Sequence, residues 1–213
     1  VEEMLLQFAP MFKDKYKGDV DEYLKHHNKF SSRFLVMYTC SGKMAQIVLR
    51  VLISPGPVLV YSNYVYMEGI EIFKLYLKQF GFDSYVNKPD DFLGYSEYHG
   101  NINMDDRSKG LETFNKIENI NGKLVKVMLV SPAGAEGLSL ESVRQVHIME
   151  PYWHEVRITQ MIGRAVRYCS HKYLPQSERH VDIYRYKSVR KKSDKWTTDQ
   201  KIEDGARTKD SLI

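Results

Sequence analysis

The chain has 213 residues, 43% of them hydrophobic and 27% charged, with a formal net charge of +4. These are the proportions of an ordinary soluble globular protein, large enough for one domain with extensions, and the charge alone favours an anionic partner without establishing one. They exclude a membrane-spanning run, since "VLISPGPVLVY" is broken by Pro55 and Pro57, and a disulfide framework, since Cys40 and Cys169 read as two reduced thiols of a cytosolic or nuclear protein.

In chain order, Val1 to Asn28 reads as one or two short helices broken at Gly18, and no signal peptide is recognisable. Within it "DEYL" imitates an Asp-Glu box, but its lead-in "KYKGDV" is polar, whereas a working box needs an apolar strand before it. A solvated helix start fits better. From Ser32, "RFLVMYTCSGKMAQIVLRVL" has helical apolar spacing and is ended by "SPGP". "VLVYS", Val58 to Ser62, is a buried strand. "MEGIEIFKLYLKQFGF" is an amphipathic helix closed by Gly81. "NKPDDFLG" is a polar connector and "YSEYHG" a strand ending at Gly100. "MDDRSKGLETFN" is a helix with an acidic first turn. "LVKVMLVS", Leu124 to Ser131, and "QVHIME", Gln145 to Glu150, are strands. "HEVRITQMIGRAVRY" is a helix and "HVDIYRYKS" a last strand. The remaining polar stretch is either a docked helix from about Thr198 or a loose tail.

Strand and helix thus alternate at least three times. That pattern specifies an α/β fold whose mainly parallel sheet is covered by helices, with any site at the C-terminal ends of its strands.

The chemistry-bearing residues fall there. Gln160, Arg164 and Arg167, spaced i, i+4 and i+7, occupy one helical stripe, and Gly163 leaves room for close approach. Two guanidiniums on one face repel unless an anion sits between them, and their planar donors suit a phosphate. On the helix alone, scattered surface arginines explain the pair equally well. The preceding "LVSPAGAEGLSL" shifts the balance: an apolar strand enters a loop where Ala133, Gly134, Ala135 and Gly137 bare the backbone to an anion or a sugar, with Glu136 its one charge. His147, inside a strand, reads as core. Trp153 reads as a packed aromatic or, alternatively, a base-stacking one. The run Arg185, Lys187, Arg190, Lys191, Lys192 and Lys195 is either a nucleic-acid path or a solvated tail.

Taken together, "SPAGAEGLSL" resembles motif V and "QMIGRAVR" motif VI of superfamily 2 helicases and translocases. "VLVYSNY" is similar to motif IV, and "YHG" with Arg107 and Phe114 to the motif IVa region. The resemblance spans Ser32 to Lys187, and "VRQVHIMEPYWHEVRITQMIGRAVR" looks like the helicase and transcription-factor ATPases of nucleocytoplasmic large DNA viruses.

The resemblance implies a RecA-like three-layer domain, the second of a two-domain motor, over residues 32–188. Residues 1–31 would be a helical extension or inter-domain segment and 189–213 a polar C-terminal extension. It implies ATP and Mg2+ held mainly by a first RecA-like domain. This sequence has no Gly-x-x-x-x-Gly-Lys-Ser/Thr loop, since "SGKMA" lacks the first glycine and the hydroxyl. With Val1 in place of Met, it reads as a fragment, expected to be inactive alone.

Carried over position by position, Arg164 and Arg167 match the arginines that reach the γ-phosphate across the cleft, with Arg167 as the finger, worth ~10³–10⁵ in rate. Gln160 matches a phosphate-side or bridging position. Glu136, Gly137 and Gly163 fall beside the nucleotide. Ser139 departs from the acidic residue of DEAD-box members, which puts a ribose contact there in doubt. Ser62, Asn63, His99, Gly100, Ser131, Ala133 and Gly134 would face the phosphates of DNA or RNA, and no metal ligand is identified. Implied partners are nucleic acid, the first motor domain and viral transcription machinery, with no membrane. The implied location is the host cytoplasm (the viral factory) or the virion. The other class of function left open is a non-catalytic module that binds nucleic acid or a transcription complex.

Overall fold

The computed structural model describes residues 32–87, 93–135, 137–190 and 195–210. Expectations for Val1 to Asn28, for most of the "NKPDDFLG" connector and for Glu136, Lys191 and Lys192 lie outside the described residues. Seven helices and six strands follow: α1 (Ser32–Cys40), α2 (Gly42–Ile53), β1 (Val58–Tyr61), α3 (Ile70–Gln79), β2 (Phe82–Ser84), β3 (Leu93–Tyr98), α4 (Met104–Phe114), β4 (Val127–Val130), α5 (Pro132–Ala135), β5 (Gln145–Ile148), α6 (Glu155–Ala165), β6 (Asp182–Arg185) and α7 (Thr198–Asp210).

The strands form one sheet in the order β2-β3-β4-β1-β5-β6, and every pairing is parallel. Central strands β1, β4 and β5 are buried at every position, as a parallel sheet covered on both faces requires. Alternate residues serve opposite faces. Val58, Val60, Val127 and Leu129 pack with Ile47, Val48, Val51, Phe73 and Leu77 of α2 and α3. Leu59, Tyr61, Met128, Val130, Val146 and Ile148 pack with Phe114 of α4 and Ile158, Met161 and Ala165 of α6. The architecture is the three-layer RecA-like arrangement that the sequence implies.

Several boundaries move. The single helix expected from Arg33 to Leu52 is two, because Ser41 adopts an extended conformation and its hydroxyl caps α2 through the amide of Met44. The helix expected from Met67 begins at Ile70. There Gly69 is pressed so close to the Tyr64 carbonyl that a Cβ would lie 1.9 Å from its oxygen, and Ile70 and Glu71 donate back to Tyr64 and Val65. Strand β2 was not expected. Pro132 to Ala135, expected as loop, form one helical turn, with proline at a first-turn position where its missing N–H costs nothing. The C-terminal stretch is docked: Ile202 and Ala206 of α7 are buried, and Gly205 lies against the Trp153 ring. Among the described residues, no helix is long and apolar enough to cross a membrane.

Candidate nucleotide and nucleic-acid edge

The sequence-derived site residues lie at the C-terminal edge of this sheet and at the end of α6, in three groups.

The first group is the end of α6. The helix stops at Ala165, earlier than the sequence implies. Its last carbonyls are taken from outside: Leu140 N donates to Arg164 O at 3.2 Å, and the Ser170 hydroxyl reaches Ala165 O at 3.5 Å besides donating to Arg167 O, beyond the helix, at 2.8 Å. The shared helical stripe therefore holds only for Gln160 and Arg164. Arg167 lies beyond the helix, in a turn that continues through Cys169 with φ 63°. The Leu140 and Ser142 amides both bond to this segment, Ser142 N reaching Ser170 O at 2.8 Å, so the glycine-rich loop and the arginines form one assembly. Arg164 is half-buried, and Gln160 and Arg167 are exposed. Among the described residues none of the three side chains has a hydrogen-bond or ion-pair partner. Space above Gly163 is open, with no atom within 4 Å of where a Cβ would sit. Gly137 has φ 78°, the left-handed region that glycine adopts without strain. A pair of unneutralised guanidiniums beside an open helix face fits a polyphosphate.

The second group is the tip of β3 and β4. Gly100 and Ala133 are exposed and adjacent, the glycine's Cβ position lying 3.8 Å from the alanine methyl. Gly134 is glycine for an internal reason: a Cβ would lie 2.0 Å from Tyr98 O. Ser131 is buried, and its carbonyl accepts from the Gly134 amide at 3.0 Å. His99 is 1% exposed, with Nε2 at 2.9 Å from Glu97 Oε2. Its side chain is turned inward, so a phosphate at this position would meet the backbone. Glu97 is partly buried, which alone would raise its pKa, but hydrogen bonds from His99 and Lys74 outweigh that and hold it below the ordinary carboxylate value. Glu71, Glu97 and His99 cluster as metal ligands do, yet the Lys74 ammonium stands among them, 2.8 Å from Glu71 and 3.1 Å from Glu97. A residue outside the sequence-derived phosphate set belongs here too. Arg107 lies 5.9 Å over the Tyr98 ring, and its buried Nε has no hydrogen-bond partner. Its place in the motif IVa resemblance was the signal for it.

The third group is the tip of β1 and β5. Ser62 is fully buried, and its hydroxyl donates to Glu150 Oε1 at 3.0 Å and accepts from Tyr64 N at 3.1 Å. Asn63 gives both its amide N–H and its side-chain N–H to the same Glu150 oxygen. Desolvation raises the Glu150 pKa, and the Asn63 amide bond is the largest force against it. These polar groups are satisfied within the protein. Glu150 was missed because nothing at its own position marks it as a partner of residues 88 and 87 positions away.

The basic run divides similarly. Arg185 pairs with Glu155 and Lys187 with Glu203, while Arg190 is exposed. His147 is fully buried, stacked on Tyr184 at 5.0 Å and bonded to Tyr186 and Gln145. Burial, then the Arg50 charge, push its imidazole down to about 3. Cys40 and Cys169 are free and exposed.

The family model described as helicase conserved C-terminal domain matches residues 43–169. A protein of Acanthamoeba polyphaga mimivirus named "Putative ATP-dependent RNA helicase" is 46% identical over 97% of this chain, which covers 26% of that protein. A second mimivirus protein of the same name is 37% identical over 70% of this chain and 29% of its own length. The chain thus spans roughly a quarter of these relatives. Among solved structures, the C-terminal part of the Fun30 ATPase domain covers 97% of this chain and 65% of its own, with 16% identity and a TM-score of 0.53, a likeness of fold.

Proposed function

This chain belongs to the helicase conserved C-terminal domain family, and on that premise we propose that it is the second RecA-like domain of a viral, ATP-dependent superfamily 2 motor that acts on nucleic acid. RNA is the track we favour, because the mimivirus relatives carry RNA helicase names. One observation carries the reading: among the described residues, Arg164 and Arg167 have no acidic partners, at and just beyond a helix end bonded to the glycine-rich loop through Leu140. Charge left uncompensated in a rigid frame is charge reserved for a ligand, and phosphate is the ligand whose geometry matches.

In this reading ATP and Mg2+ are held mainly by a first RecA-like domain, and the metal would supply charge neutralisation of the phosphates there. The residues of this chain do the rest. Arg167 reaches the γ-phosphate and stabilises charge that develops on it during transfer. Arg164, anchored through its own carbonyl, holds a second phosphate oxygen. Gln160, one turn earlier, orients the phosphate or bridges to the other domain. Gly163 keeps the helix face low enough for close approach, and Glu136 and Gly137 lie toward the nucleotide. Gly100, Ala133 and Arg107 offer a phosphate-facing surface at the β3 and β4 tips, where backbone amides read phosphate without reading sequence. Ser62, Asn63, His99, Ser131 and Gly134 shape that edge from beneath.

Since the sequence carries no Gly-x-x-x-x-Gly-Lys-Ser/Thr loop, we propose that the chain in isolation hydrolyses no ATP. The remaining partners we propose are the first motor domain of the same polypeptide and viral transcription machinery, in the host cytoplasm or the virion. The test is Arg167→Ala in the full-length protein. Loss of nucleic-acid-stimulated ATPase with nucleic-acid affinity kept is expected. Unchanged ATPase and function would instead favour a binding module.

A further inference from the structure

Beyond the helicase fold proper, the segment that leads into α7 makes a site of its own. Arg190, Lys195, Trp196, Thr197, Thr198 and Lys201 line an open concavity of about 620 Å³. Trp196 is 52% exposed, and Arg190, Lys195 and Lys201 are exposed with it. Two acids of α7, Asp199 and Glu203, already have partners elsewhere. Asp199 accepts from the Ser188 amide at 2.7 Å and pairs with Lys43 at 3.6 Å, and Glu203 pairs with Lys187 and Arg207. Among the described residues, no acidic side chain lines the concavity. The first turn of α7 is also satisfied internally, by reciprocal bonds between Thr197 and Gln200, so the feature is not a bare helix end.

We propose that this concavity binds single-stranded nucleic acid, with one base stacked on Trp196 and the flanking phosphates held by Arg190 and Lys201. The inference rests on the reading of the chain as part of a nucleic-acid motor. The chemistry selects the ligand. A cationic rim alone would serve any polyanion, duplex or acidic protein included. A half-exposed indole set among cations matches an unpaired base between phosphates, because every base offers a π-face whereas a duplex keeps its faces stacked. Threonine hydroxyls at the rim add phosphate donors that read no sequence. The position gives the site a use. Asp199, beside it, pairs with Lys43 at the start of α2 and contributes to the electrostatics of Tyr64 in the loop after β1. The concavity therefore adjoins the C-terminal edge of the sheet, and a strand leaving that edge has a basic, aromatic surface to continue on.

The chain contains two tryptophans, Trp153 and Trp196, which makes the site self-reporting. In a Trp153→Phe protein of the full 213 residues, Trp196 fluorescence should be quenched saturably by oligo(dT) or oligo(U). Duplex of equal length and poly-glutamate should quench weakly or not at all. Trp196→Ala should weaken oligonucleotide affinity by about 5- to 150-fold, the loss of one stacked base, and Trp196→Phe should retain most of it. Lys201→Ala should flatten the slope of log affinity against log salt by about 0.7, the value of one single-strand phosphate contact. Binding of a labelled oligonucleotide without Trp196 quenching would place the strand elsewhere on the chain and overturn the site while leaving the motor reading intact. Equal quenching by duplex or by poly-glutamate overturns the choice of ligand, and no oligonucleotide binding overturns the site outright. Failure of the motor reading registers separately, as ATPase insensitive to Arg167→Ala.

Discussion

The end of α6 and the tip of β1 and β5 are both built from polar residues on a RecA-like frame, and they use them in opposite ways. At the strand tips, Ser62, Asn63 and Glu150 bond to one another inside the protein. At the helix end the backbone is firmly tied, yet the side chains of Gln160, Arg164 and Arg167 have no partner among the described residues. A buried polar group must be satisfied, since leaving one unpaired costs about 1–3 kcal/mol. A surface group need not be. The satisfied network therefore serves the fold, and the unsatisfied one is available to a ligand. Motif resemblance marked both regions alike, and hydrogen bonding separates them.

The sharpest break in that comparison is kinetic. Arg167→Ala in the full-length protein should lower the ATPase rate by ~10³-fold or more, the scale of an arginine finger. Its melting temperature should stay within about a degree of the parent's, because the Arg167 side chain is exposed and has no hydrogen-bond or ion-pair partner among the described residues. A large drop in stability would show that Arg167 belongs to the fold instead.

Next comes Glu150, where the expected effect is on stability. All three of its hydrogen bonds fall on one oxygen. Glu150→Leu strands the Ser62 hydroxyl and two Asn63 donors and should cost about 2–4 kcal/mol in urea unfolding. Glu150→Gln keeps a carbonyl oxygen in place and, since burial already disfavours the carboxylate charge, should cost less than about 1 kcal/mol. Equal losses for both variants would mean that the charge, and not the acceptor, matters.

The frame was legible because "VLVY", "VMLV" and "QVHI" are unbroken apolar runs, and such runs fit a parallel sheet buried on both faces. Strand β2 was not, since "FDS" is three residues long with one fully buried. Helix ends were misplaced where tertiary donors decide them: nothing inside "HEVRITQMIGRAVRY" reveals that Leu140 will take the Arg164 carbonyl. The arginines and the open glycine were legible as types in a pattern. The inward turn of Ser62 and His99 was not, because it depends on Glu150 and Glu97, whose side chains meet them only in the folded chain.

His147 offers a milder test on the satisfied side. Folded, its imidazole is held at about 3, while an unfolded histidine titrates near ~6.5. Between those values the unfolded chain binds a proton that the folded chain refuses. Its stabilising effect is complete above pH ~6.5 and should fall by about 1.4 kcal/mol per pH unit below it. Glu150 works in the other direction at lower pH, because its raised carboxyl gains a proton on folding. The slope is therefore read as the difference between the parent and His147→Asn from pH 7.5 to 5.5. A difference of zero would mean that the folded protein accommodates the charged ring.

Gly163 gives the smallest change in stability, and its sign decides the argument. The residue lies inside α6, where glycine costs about 0.5–1 kcal/mol relative to alanine. A methyl group there would meet no atom within 4 Å. Gly163→Ala should therefore stabilise the isolated chain by about 0.5–1 kcal/mol in urea unfolding. In the full-length protein the same methyl stands on the helix face beside Gln160 and Arg164, where a nucleotide must come close. ATPase should fall while stability rises. A stabilised variant with full activity would show that nothing approaches this face, and the two arginines would then need another explanation. A variant both steadier and slower would show that the open space above Gly163 is kept at the expense of the fold.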